Sequence, residues 1–358
     1  MTLEACRKID DAVIARIAAF RESVGAGIEH DARWLRVLKE GLGHEGVVLF
    51  ASDASGLRGV LPLAVVRGRL FGRFVVSLPY VNRAGVLAAD EQTAHELVDA
   101  AAAIASGEDA RYLELRHDAA LEHAKLPQAR ASKVRMVLDL PGDEAALQKQ
   151  VGSKVRNLLR KGDKHGLTIR WGGEELLDAF YRVFAVNMRD LGTPVYPRKL
   201  FASILKHFAG QAELAVVYGP NPSGKELPGA GVPGGAGALL IHDEVSGITQ
   251  VPSASCLRSF NASAANMWMY GRLLSRAIER GARQFDFGRS SEGSGTYQFK
   301  KQWGATPAAT VWQYMPRRGS VEQMRPDSGG YDALIQTWKR LPVWVTRLVG
   351  PAVVRGIP

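Results

Sequence analysis

Cysteine is scarce: Cys6 and Cys256 are the only two in 358 residues, and neither sits in a C-x-x-C pair. Two thiols cannot build a disulfide framework, and without paired spacing they do not mark a zinc site, so a reducing compartment is the simplest expectation. Long apolar runs are missing too. No window of 18 apolar residues occurs, and the longest uncharged stretch, residues 227–241, is mostly Gly, Pro and Ala, which cannot hold a spanning helix. The opening MTLEACRKIDDAVIARIAAF mixes acids and bases where a secretory leader has a basic tip and an apolar run. A cytoplasmic location is expected.

Several catalytic signatures are absent as well. None of the eight histidines pairs with another at i, i+4 spacing, so no helix face presents two imidazole ligands and no metal is expected. There is no G-x-S-x-G elbow for a hydrolase nucleophile, and no G-x-G-x-x-G after a strand for a dinucleotide. The Gly- and Pro-rich segment PNPSGKELPGAGVPGGAG reads as a hairpin tip. Its Gly224 and Lys225 are followed by Glu226 where a phosphate loop needs a hydroxyl.

What is present is a globular composition, 46% hydrophobic and 23% charged, at a length that suggests about two domains. The net charge of +10 is unevenly placed. Of 46 basic and 36 acidic residues, the first 150 positions hold 19 and 21, so the rest hold 27 and 15. That asymmetry points to an anionic partner for the C-terminal half. Its densest run, Ser153 to Arg170, carries six basic side chains against Asp163 alone, as a solvated helix face would also do.

Periodicity predicts helices over 3–22, 31–40, 89–106, 174–190 and 198–209, and one beginning near Asp143. Strands are expected at Val47–Ala51, within Gly59–Pro79, and at Arg111–His117, Lys133–Pro141, Glu213–Gly219 and Ala236–Glu244. Two stretches echo each other. LVDAAAAIASGEDARYLELR and LLSRAIERGARQFDFGR both run apolar helix, Gly, polar turn, and a strand ending in Arg, with Glu114 and Arg116 facing Asp286 and Arg289 in rough register.

Phe285 to Gly304, FDFGRSSEGSGTYQFKKQWG, is the most unusual segment. A strand with Phe285 and Phe287 on one side and Asp286 on the other opens into Gly288, Arg289 and Ser290, delivering polar groups to a sheet edge. A Gly-rich turn follows, and then Tyr297, Phe299 and Trp303 interleave with Lys300 and Lys301. The pattern suits either a site for a phosphate- or carbonyl-bearing ligand or an aromatic-rich strand whose lysines reach solvent.

Together with GVLPLAVVRGRLFG (Gly59–Gly72), NMRDLGTPVYPRKLF (Asn187–Phe201) and NMWMYGRLLSRAIERG (Asn266–Gly281), FDFGRS and GTYQFKKQWG make the chain similar to the FemAB-like proteins, in the branch associated with exosortase and PEP-CTERM systems. The resemblance spans residues 31–316. It implies an α/β (α+β) architecture of two tandem acyltransferase folds of the Gcn5-related N-acetyltransferase (GNAT) type with mixed central sheets. The domains are expected at 1–140 and 141–316, with a C-terminal amphipathic segment at 317–358. The implied reaction is aminolysis of an aminoacyl-tRNA ester or an acyl-CoA thioester by an amine of a cell-envelope, exopolysaccharide-related or lipid-linked acceptor, in a cleft between the halves. No cofactor is permanently bound, and no DNA partner is expected.

Carried over by motif, Lys300 stabilises the reacting acyl group and the tRNA end, and Asp286 and Tyr297 belong to the strand and loop lining the cleft; for the proton Asp286 is a candidate by position, Tyr297 is another, and a bound water or a substrate group is a third. Arg289, Ser290, Phe299, Lys301 and Trp303 line the site, and Lys154, Arg156, Arg160 and Lys161 form the basic helix after the domain junction. A CoA pyrophosphate turn, Q/R-x-x-G-x-G/A, is matched only by Arg347–Ala352, with no strand before it, which favours aminoacyl-tRNA as donor. In the tail, Ile335, Trp338, Leu341, Trp344, Val345 and Leu348 recur at helical spacing beside Lys339, Arg340 and Arg347, fitting either docking on the core or the inner membrane face. A non-catalytic binding module and a membrane-associated scaffold in envelope polymer export are the rival readings.

Overall fold

The computed structural model describes residues 1–68, 71–219, 234–318 and 332–358; Gly224, Lys225 and Glu226 lie outside them. The chain opens with strand β1 (Thr2–Cys6), helices α1 (Asp11–Ser23) and α2 (Arg33–Leu42), and strands β2 (Glu45–Asp53), β3 (Gly56–Gly68), β4 (Gly72–Val76) and β5 (Leu87–Ala88). Helix α3 (Glu91–Gly107), β6 (Tyr112–His117), β7 (Gln128–Arg130) and β8 (Lys133–Asp139) follow. Then come α4 (Glu144–Gln150), α5 (Ser153–Lys164), β9 (Thr168–Gly172), α6 (Leu177–Leu191), α7 (Arg198–His207), β10 (Ala212–Tyr218), β11 (Gly234–Asp243) and β12 (Ile248–Cys256). Helix α8 (Ala265–Glu279), β13 (Gln284–Ser291), α9 (Gly295–Lys301), β14 (Thr306–Ala308), β15 (Val311–Pro316), α10 (Asp332–Arg340) and α11 (Val343–Val354) complete it.

Two compact units result. The first comprises Met1–Lys133, Ala309–Gln336 and Leu348–Pro358, and the second Val134–Ala308 and Thr337–Arg347. The first unit's sheet runs β1-β2-β3-β4-β6-β15-β7 with β5 on β3, and the second's runs β14-β8-β13-β12-β11-β10-β9. Both are mixed. In each, one parallel pair is joined by a helix: β4 and β6 through α3, and β12 and β13 through α8. The two echoing sequence stretches are these helices and the strands after them, so the echo is a repeated βαβ unit.

Alternation fills each core. On one face of the first sheet Val47 and Leu49, Leu61 and Leu63, and Leu113 and Leu115 pack with Leu97, Val98 and Ala101 of α3. Helix α3 starts where Asp90 accepts from the Thr93 N–H, and its alanines fit closely to the sheet. In the second unit Met136, Ala215, Ala238, Leu240 and Phe285 meet Trp268, Leu273 and Leu274 of α8.

Three expectations are corrected. Residues 3–22 are not one helix: Thr2–Cys6 pair with Val48–Ser52, and α1 begins only after Asp10, which caps Val13 N. Strand pairing overrides local helical preference there. Second, β8 lies in the second sheet and β15 in the first, so contacts divide the chain near Lys133/Val134 and Ala308/Ala309, not at 140/141 and 316/317. An alternating strand shows that it has a buried face, not which sheet covers it. Third, Gly295–Lys301 is a short helix and not an aromatic-rich strand: Ser294 accepts from Tyr297 N and caps its first turn.

The tail forms two helices broken at Leu341–Pro342. Thr346, Gly350 and Val354 of α11 are buried, while Trp344 and Leu348 are 69% and 73% exposed. Among the described residues no helix is long and apolar enough to cross a membrane.

Candidate active site

Strands β12 and β13 pair in parallel from Ile248/Gln284 to Gln250/Asp286, yet β12 continues to Cys256 and β13 to Ser291. The end of β13 beyond Asp286 is therefore free of that neighbour, and its backbone turns at Gly288, whose φ of 76° favours glycine. Asp286 is buried and orders this turn. One carboxylate oxygen accepts the Gly288 N–H at 2.7 Å, and the other accepts from Arg135 of β8 at 3.1 Å.

Lys300 reaches the same turn from α9. Its Nζ donates to the carbonyl oxygens of Gly288 at 2.9 Å and Arg289 at 3.0 Å. An ammonium carries three donors, and two of them organise the strand end. Burial pushes the Lys300 pKa down to about 8, against the pull of nearby Asp286. A cation held by two carbonyls beside a strand end is equipped to stabilise an oxyanion.

The other expected residues divide into two groups. Ser290 is buried beside this turn with no hydrogen-bond partner for its hydroxyl, and Arg289 is half-buried next to it. Tyr297 is half-buried on the first turn of α9, and Lys301 points to solvent. Phe299 packs edge-on against Tyr270, which stacks on Phe287. Trp303 is 1% exposed and belongs to the core.

The basic run forms α5. Lys154, Arg160 and Lys161 are exposed on it, whereas Arg156 is half-buried and donates to the carbonyls of Gln148 and Val151. Asp163, the lone acid, accepts from the Trp268 indole at 2.7 Å and from Arg272 at 3.0 Å. A cavity of about 240 Å³ lies between α5 and α8, with Arg156, Arg160, Trp268 and Arg272 in its wall. Pattern reasoning missed Arg135, Trp268 and Arg272. The one available signal was Asp163, an acid out of place in a basic run.

Arg347–Ala352 lies inside α11 and makes no phosphate turn. The turn between β12 and α8 holds Arg258, Asn261 and Ser263 at the spacing of the CoA pattern, with side chains at both glycine positions. Ser263 Oγ donates to the Phe260 carbonyl, and Phe260 is fully buried. Among the described residues no cluster of His, Cys, Asp and Glu could hold a metal ion.

Comparison with curated protein sequences finds no match. Among solved structures, FemX aligns at TM-score 0.64 and 15% identity, over 87% of this chain and 97% of its own. L-PGS from Bacillus licheniformis aligns at 0.57 and 14% identity, over 96% and 98%. A tandem GNAT protein from the clavulanic acid biosynthesis pathway aligns at 0.55 and 10% identity, over 89% and 100%. These likenesses establish the fold, a tandem GNAT-like pair of units. The family model described as an acetyltransferase (GNAT) domain matches residues 149–301, from α4 through Lys300 to the end of α9. The chain thus carries an acetyltransferase (GNAT) domain, and its enzyme class is acyltransferase.

Proposed function

We propose that this acyltransferase transfers an aminoacyl or acyl group to an amine of a cell-envelope or exopolysaccharide-related acceptor, as its resemblance to the exosortase-associated FemAB-like branch implies. The amine nitrogen attacks the carbonyl carbon, a C–N bond forms, the ester C–O or thioester C–S bond breaks, and the amine gives up a proton. One observation carries the reading: the buried Lys300 ammonium held at the open end of β13 by the Gly288 and Arg289 carbonyls. Its third donor would meet the oxyanion. Asp286 has both oxygens engaged and serves to hold the turn; the Tyr297 phenol relays the proton, giving its own to the departing oxygen or sulfur as it receives the amine's.

GNAT domains take acyl-CoA as co-substrate, but the side chains at Asn261 and Ser263 favour aminoacyl-tRNA here, with Lys154, Arg160 and Lys161 receiving its phosphates. The acceptor is lipid-linked, and the outward face of α11 brings the enzyme to the membrane that carries it.

The test offers the full chain charged tRNAs, acetyl-CoA and longer acyl-CoAs with a cell-envelope extract. Consumption of charged tRNA, reduced about 100-fold in Lys300→Met, is the expected result. Consumption of acyl-CoA alone would overturn the donor, and no consumption, or a Lys300→Met protein as active as the parent, would overturn the reading.

A further inference from the structure

Helix α5 carries Lys154, Arg156, Arg160, Lys161 and Lys164 against Asp163 alone. Two of these cations enter the cavity of about 240 Å³ between α5 and α8, whose polar wall is Glu144, Gln148, Arg156, Arg160, Asp163 and Arg272. Arg156 and Arg160 stand one helical turn apart on the same face, a spacing at which like charges repel. Among the described residues neither has a carboxylate partner. Arg156 uses Nη1 on the carbonyls of Gln148 and Val151, which fixes its guanidinium without neutralising it. Arg160 donates to the Asn157 side-chain oxygen at 3.3 Å, another neutral acceptor.

The acids in the wall are engaged by α8. Asp163 accepts from the Trp268 indole at 2.7 Å and from Arg272 at 3.0 Å. Glu144 accepts from the Ser275 hydroxyl at 3.0 Å and lies 3.9 Å from Arg272. Arg272 thus answers both carboxylates, and the pair on α5 is left to an anion from outside the protein.

Size and donor geometry select that anion. The cavity is smaller than the roughly 300–1,000 Å³ of a pocket for a drug-sized ligand, so it suits one compact group and not an entire cofactor. Each guanidinium presents a planar fork of donors. A carboxylate has two oxygens and serves one fork, whereas a phosphate has oxygens for both. We propose that this cavity seats a single phosphate group, clamped between Arg156 and Arg160. The inference deepens the donor reading and rests on it for one source of the phosphate, a tRNA backbone; the seat itself stands on α5 and α8 and needs no acyl transfer at Lys300.

The test titrates inorganic phosphate, and acetate for comparison, into the full chain labelled with ¹⁵N-tryptophan at constant ionic strength. The Trp268 indole N–H, bonded to Asp163 in the cavity wall, is the reporter, and Trp268→Phe assigns its resonance. Phosphate should shift it saturably, and acetate should bind at least about tenfold more weakly. Arg160→Gln, at an exposed position, should weaken phosphate at least about tenfold. Lys164→Gln removes the same charge from the same helix outside the cavity wall and should change binding less than about twofold. No saturable shift, equal binding of acetate, or equal losses in Arg160→Gln and Lys164→Gln would each overturn the proposal. Arg156→Gln should abolish the shift; should it fail to fold, the other two variants still decide. Uncharged tRNA then distinguishes the sources: displacement of the seated phosphate identifies an RNA backbone, and retention of it identifies a free phosphate or phosphomonoester. No acyl donor is present, so the seat and the transfer at Lys300 can each fail without the other.

Discussion

Lys300 Nζ donates to the Gly288 carbonyl at 2.9 Å, twelve residues back along the chain, and so ties α9 to the end of β13. The same ammonium holds the Arg289 carbonyl, and Asp286 holds the Gly288 N–H. Replacing Lys300 with Met leaves two partly buried carbonyls without that donor, a stability loss of about 2 kcal/mol. Transfer should fall much further, about 100-fold in kcat/KM, because the cation is lost with the bonds. Lys300→Arg keeps the charge but not the reach, and an intermediate rate is expected. Thermal unfolding beside single-turnover transfer separates the two effects.

The pH dependence follows from burial. With Lys300 near 8, the ammonium is lost as pH rises through 8, and kcat/KM should decline about tenfold per unit above it. Lys300→Arg should move that limb out of the accessible range. Stability changes in the opposite sense. The folded value lies below the ordinary 10.5, so the unfolded chain binds more protons between about 8 and 10.5. The penalty of a buried charge is present below 8 and is relieved across that window, so the parent should gain stability relative to Lys300→Met there. A flat profile in both measurements would show Lys300 unperturbed.

Much of this was legible in the sequence. The alanine-rich α3, the alternating β6 and the Gly-Arg-Ser ending of β13 follow from local pattern, and the echo between the halves proves to be a repeated βαβ unit. What stayed hidden depends on partners distant in sequence. Arg135 meets Asp286 across 151 residues, and Trp268 meets Asp163 across 105. Period-2 alternation could not say that β8 belongs beside β13, because either sheet buries it equally well. Trp303 looked like a ligand contact because aromatics interleave with lysines in the chain; on a helix and the turn after it, that interleaving puts the indole inside.

Helix α5 approaches α8 through glycine. A Cβ on Gly162 would lie 2.3 Å from Trp268 Cδ1, and one on Gly271 would lie 2.6 Å from Leu159 Cδ2. Gly162→Ala should cost about 1–3 kcal/mol through overpacking, despite the better helix propensity of alanine. Denaturant unfolding checks the sign: a more stable Gly162→Ala would mean that the two helices can part freely.

Glu213 on β10 fastens α8 to its sheet. Its carboxylate accepts two bonds from Arg276 at 2.8 and 3.0 Å and lies 2.9 Å from His242 Nε2. Desolvation works against the charge, but His242 and Arg276 outweigh it and bring the pKa to about 2. The folded value is depressed below the usual 4.5, so this contribution is complete above 4.5 and disappears as pH falls towards 2. Glu213→Gln should lose about 2 kcal/mol at neutral pH and match the parent near pH 2. A constant difference across that range would place its origin in packing, not in the charge.

Helix α11 shows solvent a face that a docked helix would hide. Thr346, Gly350 and Val354 account for its buried side, and Trp344, Leu348 and Val349 stand outside it beside exposed Arg347. From Asp332 to the end, the only acid is Asp332 itself, against Lys339, Arg340, Arg347 and Arg355. Apolar anchors among cations match an anionic bilayer surface better than a protein core. The full chain is expected to co-sediment with vesicles containing phosphatidylglycerol, less so with purely zwitterionic ones, and less in high salt. Trp344→Ser with Leu348→Ser removes anchors worth about 1.5–3 kcal/mol each when fully buried, so binding should drop by more than about tenfold. Both side chains are exposed, and the melting temperature should stay where it was. Equal co-sedimentation by the double variant would disprove the membrane role, and loss of a dimer in light scattering would assign the face to a second copy of the chain.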